Sequence, residues 1–191
     1  MTRIDAQFPP GRGRLIGFIA SGAGEGTTSV AHAYAHAVAT QHRRRVLLLS
    51  ADGDADGDAG SLAGVLQSLA THPASDPVTR ALDGEADADA AWAVGADASI
   101  WELLPRTELW YALRERYDEV VIDLPAPSGS RVGLAVAPYC DGVAVVVEAE
   151  KTRAPVAEHL VGQLRSVRAR VLGAVLNRRR FHLPARIYRM L

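Results

Sequence analysis

The chain has 191 residues, a formal net charge of −1, 48% hydrophobic residues and only 6% aromatic ones. That length suits one domain with a full core, and the near-neutral balance excludes a global field for nucleic acid. The one cysteine, Cys140, excludes an internal disulfide framework and suits a reducing compartment.

Residues 1–13 read as a leader broken by Pro9, Pro10, Gly11 and Gly13, with no apolar core of a signal peptide. Leu15–Ala20 is a buried strand. It runs into the glycine-rich turn Ser21-Gly22-Ala23-Gly24-Glu25-Gly26-Thr27-Thr28-Ser29 and an alanine-rich helix over 28–41. After Arg43–Arg45 comes the strand Val46–Leu49. The run Ser50-Ala51-Asp52-Gly53-Asp54-Ala55-Asp56-Gly57-Asp58 is loop, because Gly and Asp suit neither regular state. Leu62–Leu69 is a helix, 71–76 a turn region, and 78–97 carries weak helical signals. Ser99–Leu104 reads as a strand, Thr107–Arg116 as an amphipathic helix and Glu119–Leu124 as an apolar strand. A loop over Pro125–Gly129 and a short helix over 130–137 follow. The valine-rich strand Gly142–Val147, a helix over 155–168 and the strand Val171–Leu176 close the domain before a basic tail.

Strands alternating with helices, with near-continuous apolar runs, predict an α/β protein built on a parallel, doubly wound sheet covered on both faces. Ligands of such sheets sit at the carboxyl ends of the strands, where the loops starting at Ser21, Ser50, Asp123, Glu148 and Asn177 converge. No apolar run reaches the roughly 18 residues of a membrane span, which points to a cytoplasmic protein.

The loop at 21–29 has the layout of a phosphate cradle, in which glycines let backbone N–H groups point inward and a helix N-terminus adds positive partial charge. Against the P-loop pattern G-x-x-x-x-G-K-[ST], Gly26 is the second glycine and Thr28 the Mg²⁺-binding hydroxyl. Ser21 stands where the first glycine belongs and Thr27 where the lysine belongs.

The ordered set Ser21–Ser29, Val46-Leu47-Leu48-Leu49-Ser50-Ala51-Asp52, Tyr117-Asp118-Glu119-Val120-Val121-Ile122-Asp123-Leu124-Pro125, Asp141-Gly142-Val143 and Gly173-Ala174-Val175-Leu176-Asn177 resembles the cytoplasmic domain of bacterial tyrosine kinases. The type is that of capsule and exopolysaccharide chain-length control, within the MinD/ParA-like P-loop ATPases, and the resemblance spans 14–178. It implies a P-loop NTPase-like fold in which Gly22, Gly24, Gly26, Thr27, Thr28 and Ser29 hold ATP or ADP. Thr28, Asp52 and Asp123 would hold Mg²⁺, and Asn177 would read the adenine. Asp52 and Asp123 would carry catalysis if the site is active.

The departures are chemical. Thr27 replaces the lysine that stabilises transferring phosphoryl charge, Gly22 takes the place of the ParA-type signature lysine, and Ser50 replaces one acidic residue of the second motif. The kinases' tyrosine-rich tail has no counterpart beyond Tyr188. Arg12 and Arg14 precede the first strand, at the wrong end to substitute. The chain's single lysine, Lys151, lies at the correct end. The resemblance therefore implies a pseudokinase or pseudo-ATPase that regulates an inner-membrane polysaccharide co-polymerase, with a homo-oligomer able to lend a missing cation. The alternatives are a ParA/MinD-like ATPase and a scaffold that binds no nucleotide. The tail 179–191, with Arg178, would favour anionic lipid.

Other features have plainer readings. Asp52, Asp54, Asp56 and Gly57 imitate the opening of a calcium loop, but its twelfth position is Ala63 rather than glutamate. His32 and His36 share a helix face without a third ligand. Cys140 reads as a structural thiol and Ser128 as a loop serine. Trp101 and Trp110 are expected in the core, whereas an exposed tryptophan would mark a partner surface.

Overall fold

A computed structural model describes residues 7–8, 13–51, 60–71, 79–81, 88–91 and 100–179. In chain order these form β1 (Arg14–Ala20), α1 (Thr27–His42), β2 (Val46–Ser50), β3 (Gly60–Ser61), α2 (Leu62–Thr71), β4 (Thr79–Ala81) and β5 (Ala88–Ala91). They continue with α3 (Ile100–Leu103), α4 (Thr107–Arg116), β6 (Glu119–Leu124), α5 (Val132–Val136), a 3-10 turn at Ala137–Tyr139, β7 (Gly142–Glu148), α6 (Ala154–Ser166) and β8 (Val171–Asn177). The strand order is β4-β5-β2-β6-β1-β7-β8, with β3 against β2.

From β5 to β8 every neighbouring pair runs parallel. Alternation along β1 divides its side chains between two cores. Ile16, Phe18 and Ala20 face α1, whose Ala31, Ala35, Val38 and Ala39 are short enough to let the helix lie close on the sheet. Leu15 and Ile19 face the other way, into a larger core shared with α2, α4 and α6.

Two expectations for the middle of the chain are corrected. The described parts of 78–97 are the short strands β4 and β5, paired antiparallel, not helix. The alanines favour a helix locally, but pairing of β5 onto β2 (Val46 opposite Ala88) overrides that weak preference. Ser99–Leu104 is not a strand but carries the single helical turn α3, closed by the Leu104 N–H donating to the Ile100 carbonyl at 3.0 Å. Ile100, Leu103 and Leu104, spaced for one helix face, meet the core. Trp101 points away at 51% exposure, so only Trp110 is the buried tryptophan expected there. Trp110 stacks on Tyr139 with ring centroids 4.8 Å apart and donates its indole N–H to the Leu104 carbonyl.

The amino ends of the strands are tied by ions. Glu119, fully buried, accepts from Arg14 at 2.8 Å, Arg44 at 3.2 Å and the Tyr34 hydroxyl at 2.5 Å. Asp141 accepts the Leu15 N–H at 2.8 Å and grips the Arg114 guanidinium with both oxygens. Arg14 is thus committed far from the 21–29 loop. Cys140 is buried, and burial pushes its thiol up to about 12, which makes it a packing residue. Among the described residues no helix is long and apolar enough to cross a membrane. Arg12, Asp52 and the calcium-loop imitation around it, Trp92 and the tail from 180 onward lie outside the described residues.

Candidate functional site: a phosphate-type loop at the carboxyl end of the sheet

The loop between β1 and α1 leaves the central strand, so its carboxyl end opens between neighbours on both sides. Two glycines let it curl: Gly24 at φ 80° and Gly26 at φ 88°, both left-handed. Gly26 is the N-cap of α1 and offers no side-chain cap, so the N–H groups of the first turn remain available at the loop's mouth.

Glu25 shapes the loop from within. It is buried, and its carboxylate accepts the Ser21 hydroxyl at 3.1 Å, the Ser21 N–H at 3.3 Å and the Thr152 hydroxyl at 2.7 Å. The loop is thereby fastened to the segment after β7. Asn177, at the end of β8, donates to the Glu25 carbonyl at 2.9 Å. A Cβ on Gly26 would lie 2.3 Å from the Asn177 amide nitrogen. Gly26→Ala is therefore expected to cost about 1–3 kcal/mol from the left-handed backbone alone. It should also push Asn177 off the loop. Urea unfolding reads the first effect.

On the other side, Asp123 near the end of β6 accepts the Thr28 hydroxyl at 2.6 Å. Its own carbonyl takes the Ala51 N–H at 2.9 Å, which brings the start of the Asp52 loop alongside. An open cavity of about 470 Å³ lies between the two walls. Gly22, Gly24, Gly26, Thr27, Thr28 and Ser29 line one wall, and Asp123, Pro125, Ser128 and Ser130 the other. The expected binding residues thus share one cavity, with Asn177 bound to the loop's backbone behind it.

Thr28 and Asp123 are hard oxygen donors held together, and they fit Mg²⁺, which takes one or two carboxylates and keeps its remaining positions for water and phosphate. Among the described residues no group of three His, Cys, Asp or Glu could hold a metal. Among the described residues, an ion would rest on Thr28 and Asp123, with ligand oxygens beside them.

Lys151 does not reach this cavity, since its Nζ pairs with Glu148 at 3.0 Å. Among the described residues the cation that does reach it is Arg178, which the sequence groups with the basic tail. Its Nη1 donates to the Gly24 carbonyl at 2.7 Å and to Glu148 at 3.3 Å. The hydrogen bond from Lys151 first, and then that from Arg178, hold the Glu148 carboxyl below its ordinary range, against the opposing pull of desolvation. Glu25, Thr152 and Arg178 are the site residues that sequence reasoning missed. The one signal for Glu25 was an acid set between two glycines.

No protein-family model matches this sequence, nor does any curated protein. Solved structures do. The kinase domain of VpsO is 26% identical, with a TM-score of 0.69 over 87% of this chain and 85% of that one. The kinase domain of the Escherichia coli tyrosine kinase ETK is 19% identical, with a TM-score of 0.66 over 90% and 71%. The septum site-determining protein MinD of Pyrococcus horikoshii, complexed with Mg-ADP, is 18% identical, with a TM-score of 0.62 over 93% and 76%. The chain has the P-loop NTPase-like α/β fold that bacterial tyrosine-kinase domains share with MinD and ParA ATPases.

Proposed function

We propose that this chain is a tyrosine-kinase-like P-loop protein that binds ATP or ADP with Mg²⁺ and transfers phosphate poorly or not at all. It acts as the regulatory, pseudokinase-type partner of an inner-membrane polysaccharide co-polymerase in exopolysaccharide or capsule export. One observation carries the reading. The loop, the cavity and the Thr28–Asp123 pair are kept, while the helix position that should project a lysine over the phosphates holds Thr27. Binding can rest on the kept parts, at an affinity lowered by the missing cation, whereas transfer depends on the lost one. The open cavity speaks against a scaffold whose pocket is filled by its own side chains, and Gly22 against a MinD-type switch.

Calorimetric titration with ATP and ADP, with and without Mg²⁺, tests this. Binding is expected to strengthen with Mg²⁺, and Thr28→Ala should remove that dependence, weakening Mg-nucleotide by about tenfold or more, since even residues that only support a metal ligand are worth that much. Hydrolysis at the rate of ordinary relatives, abolished by Asp123→Ala, would overturn the inactive assignment. The partnership is checked by polymer length in cells carrying Thr28→Ala. An unchanged length distribution counts against it.

A further inference from the structure

Among the described residues lining the cavity, Arg178 is the one with a cationic side chain. We propose that Arg178 is the working cation of this phosphate loop, displaced from the helix to the end of β8. From there it makes the site a holder of nucleoside diphosphate, with no gain from a third phosphate. The inference rests on the nucleotide-binding reading above and names the form of nucleotide that the site takes.

Three observations support it. First, among the described residues both side-chain hydrogen bonds of Arg178 are made by Nη1. Its Nε and Nη2 remain for ligand oxygens, in the planar fork that matches phosphate. Nε lies 3.7 Å from where a Cβ on Gly26 would be, beside the N-cap of α1. Second, Glu148 is shared by Lys151 and Arg178, two cations against one carboxylate, so Arg178 keeps charge for a ligand. Third, Arg178 sits at φ 54°, a left-handed backbone that suits glycine or asparagine, and its N–H is held there by the Asn177 side-chain oxygen at 2.9 Å. A non-glycine residue held in that strained region turns its side chain back over the loop instead of continuing the strand.

Placement sets the preference. The sheet order puts β6 on one side of β1 and β7 and β8 on the other. Arg178 is therefore on the Asn177 side of the loop, opposite the Thr28–Asp123 pair. Among the described residues lining that opposite side there is no cationic side chain, and the charged one is the Asp123 carboxylate. A further phosphate reaching toward it meets like charge unless Mg²⁺ intervenes.

The full chain is titrated calorimetrically with ADP, ATP and pyrophosphate, with and without Mg²⁺. The variants are Arg178→Gly, which keeps the left-handed backbone without strain, Arg178→Lys, and Lys151→Gln as the cation control. ADP is expected to bind at least as tightly as ATP. Arg178→Gly should weaken ADP by about 10- to 100-fold, the range for loss of a charge-assisted contact, with no drop in the urea midpoint. Arg178→Lys should restore part of the affinity and Lys151→Gln should leave it intact. ADP binding by Arg178→Gly within about twofold of the unmodified chain, far below the effect of any charged contact, overturns this proposal and leaves nucleotide binding standing. ATP bound more than about tenfold tighter than ADP, one decade of affinity, overturns the diphosphate preference. No binding of any probe at millimolar concentration overturns both this proposal and the function it rests on.

Discussion

Thr27→Lys is expected to tighten ATP binding by about 10- to 100-fold, the 1.5–3 kcal/mol of a hydrogen bond to a charged group. Thr27 is the first residue of α1 and lines the cavity. A lysine there starts on the helix that already carries Thr28 and Ser29, one residue from the left-handed Gly26 that aims the chain at the cavity. The gain should fall mostly on ATP, because a lysine at this position of a phosphate loop acts on the β- and γ-phosphates. The variant would therefore invert an ADP-leaning preference. Phosphate release should become measurable, since a positioned cation acts on charge that develops during transfer. Calorimetry and a phosphate-release assay read the two effects separately. Unchanged ATP affinity would mean that the loop does not cradle phosphate.

Glu119→Ala should destabilise the fold by about 3–5 kcal/mol, the cost of breaking a buried ion pair by removing one member. The carboxylate is wholly inaccessible and receives Arg14, Arg44 and Tyr34. Arg14 is itself nearly buried, so its charge cannot simply turn to water. Domains of this size carry about 5–15 kcal/mol in total, and the alanine variant would sit close to unfolding at moderate temperature. Glu119→Gln, which keeps acceptor geometry and loses charge, should cost less. Because the cluster is at the amino ends of the strands, a folded Glu119→Gln protein should keep its nucleotide affinity. Urea midpoints for the pair, followed by titration with ADP, check both statements. Equal midpoints for the two variants would show that charge rather than the retained hydrogen bonding holds the cluster.

The sheet was legible where the chemistry is strong. Runs such as Val46–Leu49 and Val120–Ile122 are apolar throughout because both of their faces are covered, and the structure extends the strands expected at Val46–Leu49 and Glu119–Leu124 by a residue or none. The loop was legible because glycine spacing constrains backbone directly. The described parts of 78–104 were not. Their helices and strands are decided by what lies alongside them, and Ala-Asp-Ala-Ala has no periodicity that would announce β5. Trp101 was misplaced because an isolated helical turn has too few residues to show a face. Arg178 was misjudged for a related reason. Arg179 and Arg180 follow it along the chain, and the sequence does not announce the left-handed backbone that folds it onto Gly24 from 154 positions away.

The strand order has a consequence for how the chain comes together. β1 emerges first, yet it pairs with neither β2 nor any other element near it in sequence. Ile16 takes Val121 on one side and Gly142 on the other. The entropy of closing those long loops must be met before the central pairing returns anything, which makes this a high-contact-order chain that folds slowly. During synthesis the N-terminal half remains without its two partner strands until β7 has left the ribosome. Its apolar β1 and β2 segments are then the ones most exposed to misassociation.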